Sequence, residues 1–163
     1  MTTSVRFEPL SPADLGWAWD VYTLTTRDHL LATLHPTEDE ERDLRSELLR
    51  RGRAQAVLDE QGERVGLLEV TEDGDELTIR HLELLPSVQG KGLGTQVIRT
   101  VIDRAASEGR SVVLRVLRTN PRARALYERL GFVVEQERER STQLRLLPRT
   151  TTETDAGRGD PTP

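Results

Sequence analysis

Leu15, Trp19 and Tyr22 recur at i, i+4 and i+7, the spacing of one apolar helix face. Ser11 ahead of them is a good N-cap, Pro12 suits a first helical turn, and Asp14 adds negative charge there. A helix running to about Thr26 is therefore predicted, after a short strand over residues 5–8. Pro36 interrupts. Thr37 and Glu40 then form a capping-box pair, and Glu38–Arg42, Glu41–Arg45 and Glu47–Arg51 are i,i+4 ion pairs in the favourable order. This predicts a second helix with a solvated face, ended by Gly52.

The pattern then changes to strands over residues 53–59, 64–71 and 76–85. The turns between them, Asp59-Glu60-Gln61-Gly62 and Glu72-Asp73-Gly74-Asp75, are hairpin sequences. In the third strand the apolar parity slips: Leu77 and Ile79 are odd, Leu82 and Leu84 even. A period-2 strand does this across a β-bulge. Pro86 closes the strand. From Leu93 the spacing is helical again, with Val97 and Val101 at i+4 and i+8, up to a C′ glycine at Gly109. Residues 112–117 are nearly all apolar, as in a strand buried on both faces. Asn120 and Pro121 open a further helix with an apolar stripe of Ala123, Leu126, Tyr127 and Leu130, ended by Gly131. Strands over residues 132–134 and 142–147 can pair. After Pro148 the chain is polar with Gly and Pro and no apolar period, which predicts a disordered tail over residues 149–163 behind a single domain over residues 1–148.

Two segments carry chemistry. Gln89-Gly90-Lys91-Gly92-Leu93-Gly94 lies between a strand and the start of a helix. The first turn of a helix leaves N–H groups without partners and carries partial positive charge, which suits a phosphate. Glycines at 90, 92 and 94 let the backbone approach the anion, and Lys91 adds a point charge. The G-x-x-x-x-G-K-[ST] loop of nucleoside triphosphatases is excluded, because Gly92 follows Lys91. The G-x-G-x-x-G dinucleotide fingerprint is excluded by spacing and by its place after a run of hairpins. A glycine turn that only packs a helix tightly against a sheet is the alternative. The second segment, Asn120-Pro121-Arg122-Ala123-Arg124-Ala125-Leu126-Tyr127-Glu128-Arg129-Leu130-Gly131-Phe132, sets a tyrosine one turn before a helix end.

With both motifs in this order, the chain resembles the GNAT superfamily of N-acetyltransferases. Residues 89–94 match that family's Q/R-x-x-G-x-G/A phosphate motif, and residues 120–132 match its Asn, helix and Tyr-x-x-x-Gly-Phe signature. The likeness runs from about Val65 to Phe132; the first sixty residues match in pattern only. It implies an α/β fold of α+β type: a mixed, mostly antiparallel sheet, splayed in the middle and flanked by helices. It also implies acetyl-CoA as co-substrate. The pantetheine arm is expected along Leu82, Glu83 and Leu84, and the pyrophosphate on the backbone from Gly90 through Lys91, Gly92, Leu93 and Gly94 to Thr95, with Gln89 opening the motif. Asn120 matches a cofactor-contacting position and Tyr127 the tyrosine proposed as acid toward the departing thiolate.

Composition narrows this further. There is no cysteine, so a disulfide framework, a thiolate zinc site and a thiol nucleophile are excluded; this is compatible with the cytoplasm. No apolar run approaches a membrane span, and residues 1–6 lack a signal-peptide stretch. The net charge of −5 disfavours general nucleic-acid binding and mildly favours a cationic amine acceptor. Of 23 basic residues all but Lys91 are arginine.

Attack on a thioester needs a neutral amine, a donor for the oxyanion and a proton for the thiolate. Tyr127 is the expected acid; its other reading is a packing residue on the stripe. Some family members use a glutamate on the fifth strand, but Arg115 stands there. Glu83, directly or through a water, is the first candidate for the base and Glu69 the second; the other reading is that both are exposed strand carboxylates. His81 is on the same strand as Glu83 and titrates in a useful range, with a structural histidine as its other reading; His29 and His35 lie in the helical region that lines the acceptor site in the family, with surface positions as theirs. No two of the three show close metal-ligand spacing, so no metal is expected. Trp17, Trp19, Tyr22 and Arg27 belong to the helical region that lines the acceptor site in the family. The expected function is acetyl transfer from acetyl-CoA to a primary amine of a small molecule or peptide. The alternatives are a longer acyl donor, or a CoA-binding sensor without turnover. An exposed C-terminal strand edge could pair with a second subunit.

Overall fold

A computed structural model describes residues 5–149; apart from Arg149, the tail expected over residues 149–163 lies outside them. The chain runs β1 (Arg6–Pro9), α1 (Leu15–Thr25), α2 (Arg27–Leu34), α3 (Glu38–Arg50), β2 (Ala54–Leu58), β3 (Arg64–Asp73), β4 (Glu76–Leu84), α4 (Leu93–Ser107), β5 (Ser111–Leu117), α5 (Pro121–Arg129), β6 (Val133–Glu137) and β7 (Ser141–Leu146). One seven-stranded sheet has the order β1-β2-β3-β4-β5-β7-β6. Every neighbouring pair is antiparallel except β4 with β5. This is the mixed, mostly antiparallel sheet that the resemblance implies.

The parity slip in β4 is a bulge. Glu69 pairs with His81 and Val70 with Ile79, which leaves Arg80 as the extra residue. Pairing of β4 with β5 ends at the same place, with Ile79 opposite Leu114. A bulge bends and twists its strand. Here the distal half of β4 parts from β5 while keeping β3 as far as Gly66 opposite Leu84. The sheet is therefore open between the second half of β4 and the end of β5.

Helices cover both faces. On one, Val97, Ile98, Val101 and Ala105 of α4 pack with Leu68, Leu77, Ile79, Leu114 and Leu144, and Leu82, Leu84 and α5 join them. On the other, Ala18 and Val21 of α1 and Leu48 and Leu49 of α3 pack on Ala54, Ala56 and Leu67. The bulge makes this division: beyond it Leu82 and Leu84 face α4, while Glu83, opposite Leu67 in register, faces α3.

Two sequence expectations need correction. Residues 27–34, which the periodicity assigns to no element, form α2. It continues α1 through Thr26, whose backbone is itself helical, and ends at His35 in the left-handed region (φ 50°). None of its residues is fully buried, so it carries no strong apolar stripe. The second correction concerns α3. Glu38–Arg42 and Glu47–Arg51 do pair, at 3.1 and 3.6 Å, but Glu41 and Arg45 are buried and do not pair with each other. They lie on the inward stripe with Leu48 and Leu49, and their partners come from α1, α2 and β4.

Gly66 holds the far end of β4 against β3. A Cβ there would lie 2.4 Å from the Glu83 carbonyl oxygen and 2.6 Å from Leu84 Cδ2. We predict that Gly66→Ala destabilises the fold by about 1–3 kcal/mol, the usual cost of overpacking. A lowered urea midpoint at unchanged m-value is the measurement; an unchanged midpoint would show that β4 yields freely.

Candidate active site

One end of the opening is formed by the glycine segment. Gln89 Nε2 donates to the Leu84 carbonyl at 2.8 Å, tying the loop to the end of β4. Gly90 (φ 74°) and Gly92 (φ 83°) take left-handed backbone, which side chains with a Cβ rarely adopt. Gly92 is the N-cap of α4 and has no side-chain cap. The first helical amide to bond is Gln96, to the Gly92 carbonyl at 3.1 Å. Among the described residues no backbone carbonyl takes the N–H groups of Gly90, Lys91, Gly92, Leu93, Gly94 or Thr95. These free amides at a helix N-terminus are the environment an anion seeks. Gly94 does a different job, since a Cβ there would touch Leu84 Cδ1 at 3.3 Å and Leu126 Cδ2 at 3.7 Å; it lets α4 start close to β4 and α5. Lys91 is exposed. Arg122, from the first turn of α5, brings Nη2 to 3.6 Å from the place of a Gly90 Cβ. Its charge beside the loop is not signalled by the sequence, because only the packing of α5 brings it there.

The opening suits an extended thioester arm. Past Ile79 the β5-facing backbone of β4, which includes Leu82, Glu83 and Leu84, has no ladder partner among the described residues. Tyr127 comes from α5 on the α4 side of the sheet and meets Phe132 edge-on, with ring centroids 6.0 Å apart. Burial alone pushes its hydroxyl up to about 12, so it keeps its proton. Asn120 caps α5, its side-chain oxygen accepting from the Ala123 amide at 3.2 Å, which leaves the side-chain NH₂ as a donor at this end of β5.

The α3 face of the opening is charged. Glu83 and Arg45 are 3 % and 5 % exposed, and Arg45 Nη2 donates to Glu83 Oε1 at 2.8 Å. Burial pushes the Glu83 carboxyl up, but His81 and the Arg45 guanidinium more than offset this and hold it below the ordinary carboxylate value. Arg45 also lies over the Tyr22 ring at 4.6 Å. The Tyr22 hydroxyl donates to Glu41 at 2.7 Å, and Arg27 clamps Glu41 with both Nε and Nη2 at 3.1 Å. Arg42 and Arg27 flank Trp19 at 4.3 and 5.6 Å, whereas Trp17 packs against the second core cluster under Arg64. Of the expected acceptor-lining residues, Tyr22 thus connects to Glu83 through Arg45 and Arg27 joins through Glu41 and Tyr22, while Trp17 stands apart.

Glu69 and His81 complete this face. Glu69 is wholly buried, and neither of its carboxylate oxygens has a hydrogen-bond partner among the described residues. His81 is directly opposite it on β4, with Nε2 3.7 Å from Glu69 and Nδ1 3.8 Å from Glu83. His29 and His35 lie apart on α2 and at its end; the His29 carbonyl accepts from Thr33 and, at 3.4 Å, from Thr119 after β5. Among the described residues no three acidic or histidine side chains are grouped to hold a metal ion, and no helix is long and apolar enough to cross a membrane.

The Glu83–Arg45 pair also sets a stability expectation. Arg45→Leu leaves a buried carboxylate unpaired and should cost about 3–5 kcal/mol at neutral pH. In the wild-type protein the Glu83 carboxyl is held below its unfolded value, so its stabilisation is complete above the ordinary carboxylate pKa and disappears as pH falls through the lowered one. Denaturant titrations from pH 7 to pH 3 should show the gap between wild type and variant narrowing toward the acid end.

These features agree with what the chain is similar to. The family model described as "Acetyltransferase (GNAT) family" matches residues 18–132. No protein of curated function matches the chain significantly in sequence. Among solved structures, the PaiA N-acetyltransferase of Thermoplasma acidophilum, in complex with coenzyme A, superposes with a TM-score of 0.71 at 17 % identity, over 88 % of this chain and 99 % of that one. The ribosomal-protein-S18-alanine N-acetyltransferase of Escherichia coli gives 0.67 at 20 % identity, over 92 % and 97 %. The spermidine/spermine N-acetyltransferase SpeG of Vibrio cholerae, in mutant form, gives 0.63 at 21 % identity, over 88 % and 94 %. At these identities the structures speak to the fold alone, while the family model spans most of the chain and both motifs, so this protein belongs to the GNAT acetyltransferase family.

Proposed function

We propose that the protein transfers an acetyl group from acetyl-CoA to a primary amine of a small molecule or peptide. The observation that carries this reading is the opening between β4 and β5, with unpaired amides on the α4 helix at one end and Tyr127 on its α4 side. The residues fit the co-substrate: the amides from Gly90 to Thr95, with Lys91 and Arg122, would hold the pyrophosphate, and the free edge of β4 from Leu82 to Leu84 would hold the pantetheine arm. When bound, acetyl-CoA supplies the acyl group as a thioester. The neighbouring folds named as N-acetyltransferases of a ribosomal alanine and of polyamines support an amine acceptor.

In this reading the protein orients and moves protons. Holding an amine against the thioester contributes up to roughly 7–11 kcal/mol of the barrier reduction. Tyr127, protonated at any physiological pH, gives its proton toward the sulfur as the thiolate leaves. The first candidate for the base is Glu83. Its lowered carboxyl is a weak proton acceptor and its Oε1 is committed to Arg45, so we assign it to anchoring the α3 face.

Thermal unfolding with acetyl-CoA, CoA, NAD and ATP, each alone, tests the cofactor. We expect stabilisation by the two CoA species only, about 2.7 kcal/mol at 100 times the dissociation constant. No shift with either CoA species up to millimolar ligand would remove the pyrophosphate site and the enzyme reading together. Free-thiol release across a panel of primary amines then separates an enzyme from a CoA sensor. Tyr127→Phe should lower kcat roughly 10²-fold, the low end for a general acid, with the CoA thermal shift retained; unchanged kcat would reduce Tyr127 to packing.

A further inference from the structure

Glu69 is a carboxylate with no exposed surface and, among the described residues, no hydrogen bond to either oxygen. Burying a charge in this way is expensive unless something compensates it. The adjacent groups do not. Arg45 is spent on Glu83 at 2.8 Å, and its Nη1 and the Glu83 Oε2 are themselves unpartnered. Counting Glu69, Glu83 and Arg45, the set is one positive charge short. The group placed to supply it is His81, whose ring lies between the two carboxylates and whose side chain is 41 % exposed. A neutral imidazole has one N–H to offer, and an imidazolium has two. Only the protonated ring gives a donor to each carboxylate. The cluster is thus built to take up one proton at the surface of the opening, and one proton is what an alkylammonium acceptor must lose before it can attack.

Resting on the acetyltransferase reading, we propose that His81 is the proton acceptor for a cationic amine substrate and that Glu69 is its positioning residue. Glu69, with no other donor among the described residues, is placed to take the Nε2–H of the neutral ring, now 3.7 Å away, on a small closing movement. This fixes the tautomer and leaves the Nδ1 lone pair free, since the bond made by one ring nitrogen decides the state of the other. An N–H bond of the ammonium breaks, its electron pair stays on the amine nitrogen, and the proton adds to Nδ1. The imidazolium then faces Glu69 through Nε2 and Glu83 through Nδ1, and the buried charges balance. His81 stands on the α3 face of β4 and Tyr127 on the α4 side of the sheet. The group that receives the amine proton and the group that supplies the thiol proton therefore approach the opening from opposite sides.

The test compares two acceptors at saturating acetyl-CoA, reading free thiol. One is an alkylamine, charged at the assay pH; the other is a weakly basic amine such as methoxyamine, already neutral. In His81→Gln the ratio of alkylamine to methoxyamine kcat/KM should fall roughly 10²-fold, as expected for loss of a general base. Glu69→Gln keeps the buried volume and should lower the same ratio by a smaller factor. Because the two act as a unit, the double variant should match His81→Gln alone. The CoA thermal shift, measured on each variant, shows that the fold is retained. A His81→Gln enzyme that loses both acceptors equally, or losses that multiply in the double variant, would overturn the dyad while leaving the acetyltransferase reading in place. A folded, CoA-binding wild type that releases no thiol with either acceptor would overturn both.

Discussion

Pairing between β4 and β5 stops at Ile79 and Leu114, and the functional features of the molecule depend on that stop. A parallel pair that stayed closed would leave no unpaired backbone in the middle of the sheet. The bulge at Arg80 makes the opening, because an extra residue bends the strand away from one neighbour while the other continues to hold it. Gly66 lets β3 follow β4 closely enough to keep that second ladder. The same bulge shifts the alternation by one residue, so that Leu82 and Leu84 stay on the face of Leu77 and Ile79. Leu82 and Leu84 support the helix that carries the glycine loop, while His81 and Glu83 meet the charged stripe of α3. One extra residue thus both opens the sheet and separates its apolar side from its ionic side.

The ionic side is an unusual use of buried charge. Paired charges in an interior seldom add net stability over well-packed apolar groups, since desolvation consumes most of the Coulombic gain. The chain from Arg27 through Glu41, Tyr22, Arg45 and Glu83 to His81 and Glu69 therefore makes little sense as a stabilising device. In the proposed reading it holds fixed charges beside the group that takes the amine proton. A preorganised arrangement of charges needs no reorientation at the moment of reaction. Tyr127 is tuned by the opposite means: burial, with no charged partner, keeps its proton on.

Much of the fold was legible in the linear pattern. Hairpins, caps and the phosphate segment are local, and their residue types fall at fixed offsets. The bulge was legible because a strand has a period of 2 and Leu77, Ile79, Leu82 and Leu84 break it. The site was legible only in part. Tyr127 and the segment from Gln89 to Thr95 sit in contiguous motifs, and the family likeness placed them. Arg122 lies inside one of those motifs and was still not recognised as a neighbour of Gly90. The i,i+4 rule paired Glu41 with Arg45 on a solvated helix face, whereas each takes a partner from another element, Arg45 from 38 residues away.

The sequence by itself determined the kind of elements, their order, the slip in β4 and a helix N-terminus bare enough to accept an anion, because each is written in spacings of a few residues. Tertiary structure alone decided which face of α3 is buried, that α2 continues α1, and that Glu69, His81, Glu83 and Arg45 share one site. The physical reason is that a charge in water is cheap almost anywhere along a chain, and its cost and its partner are set only when packing removes the water around it.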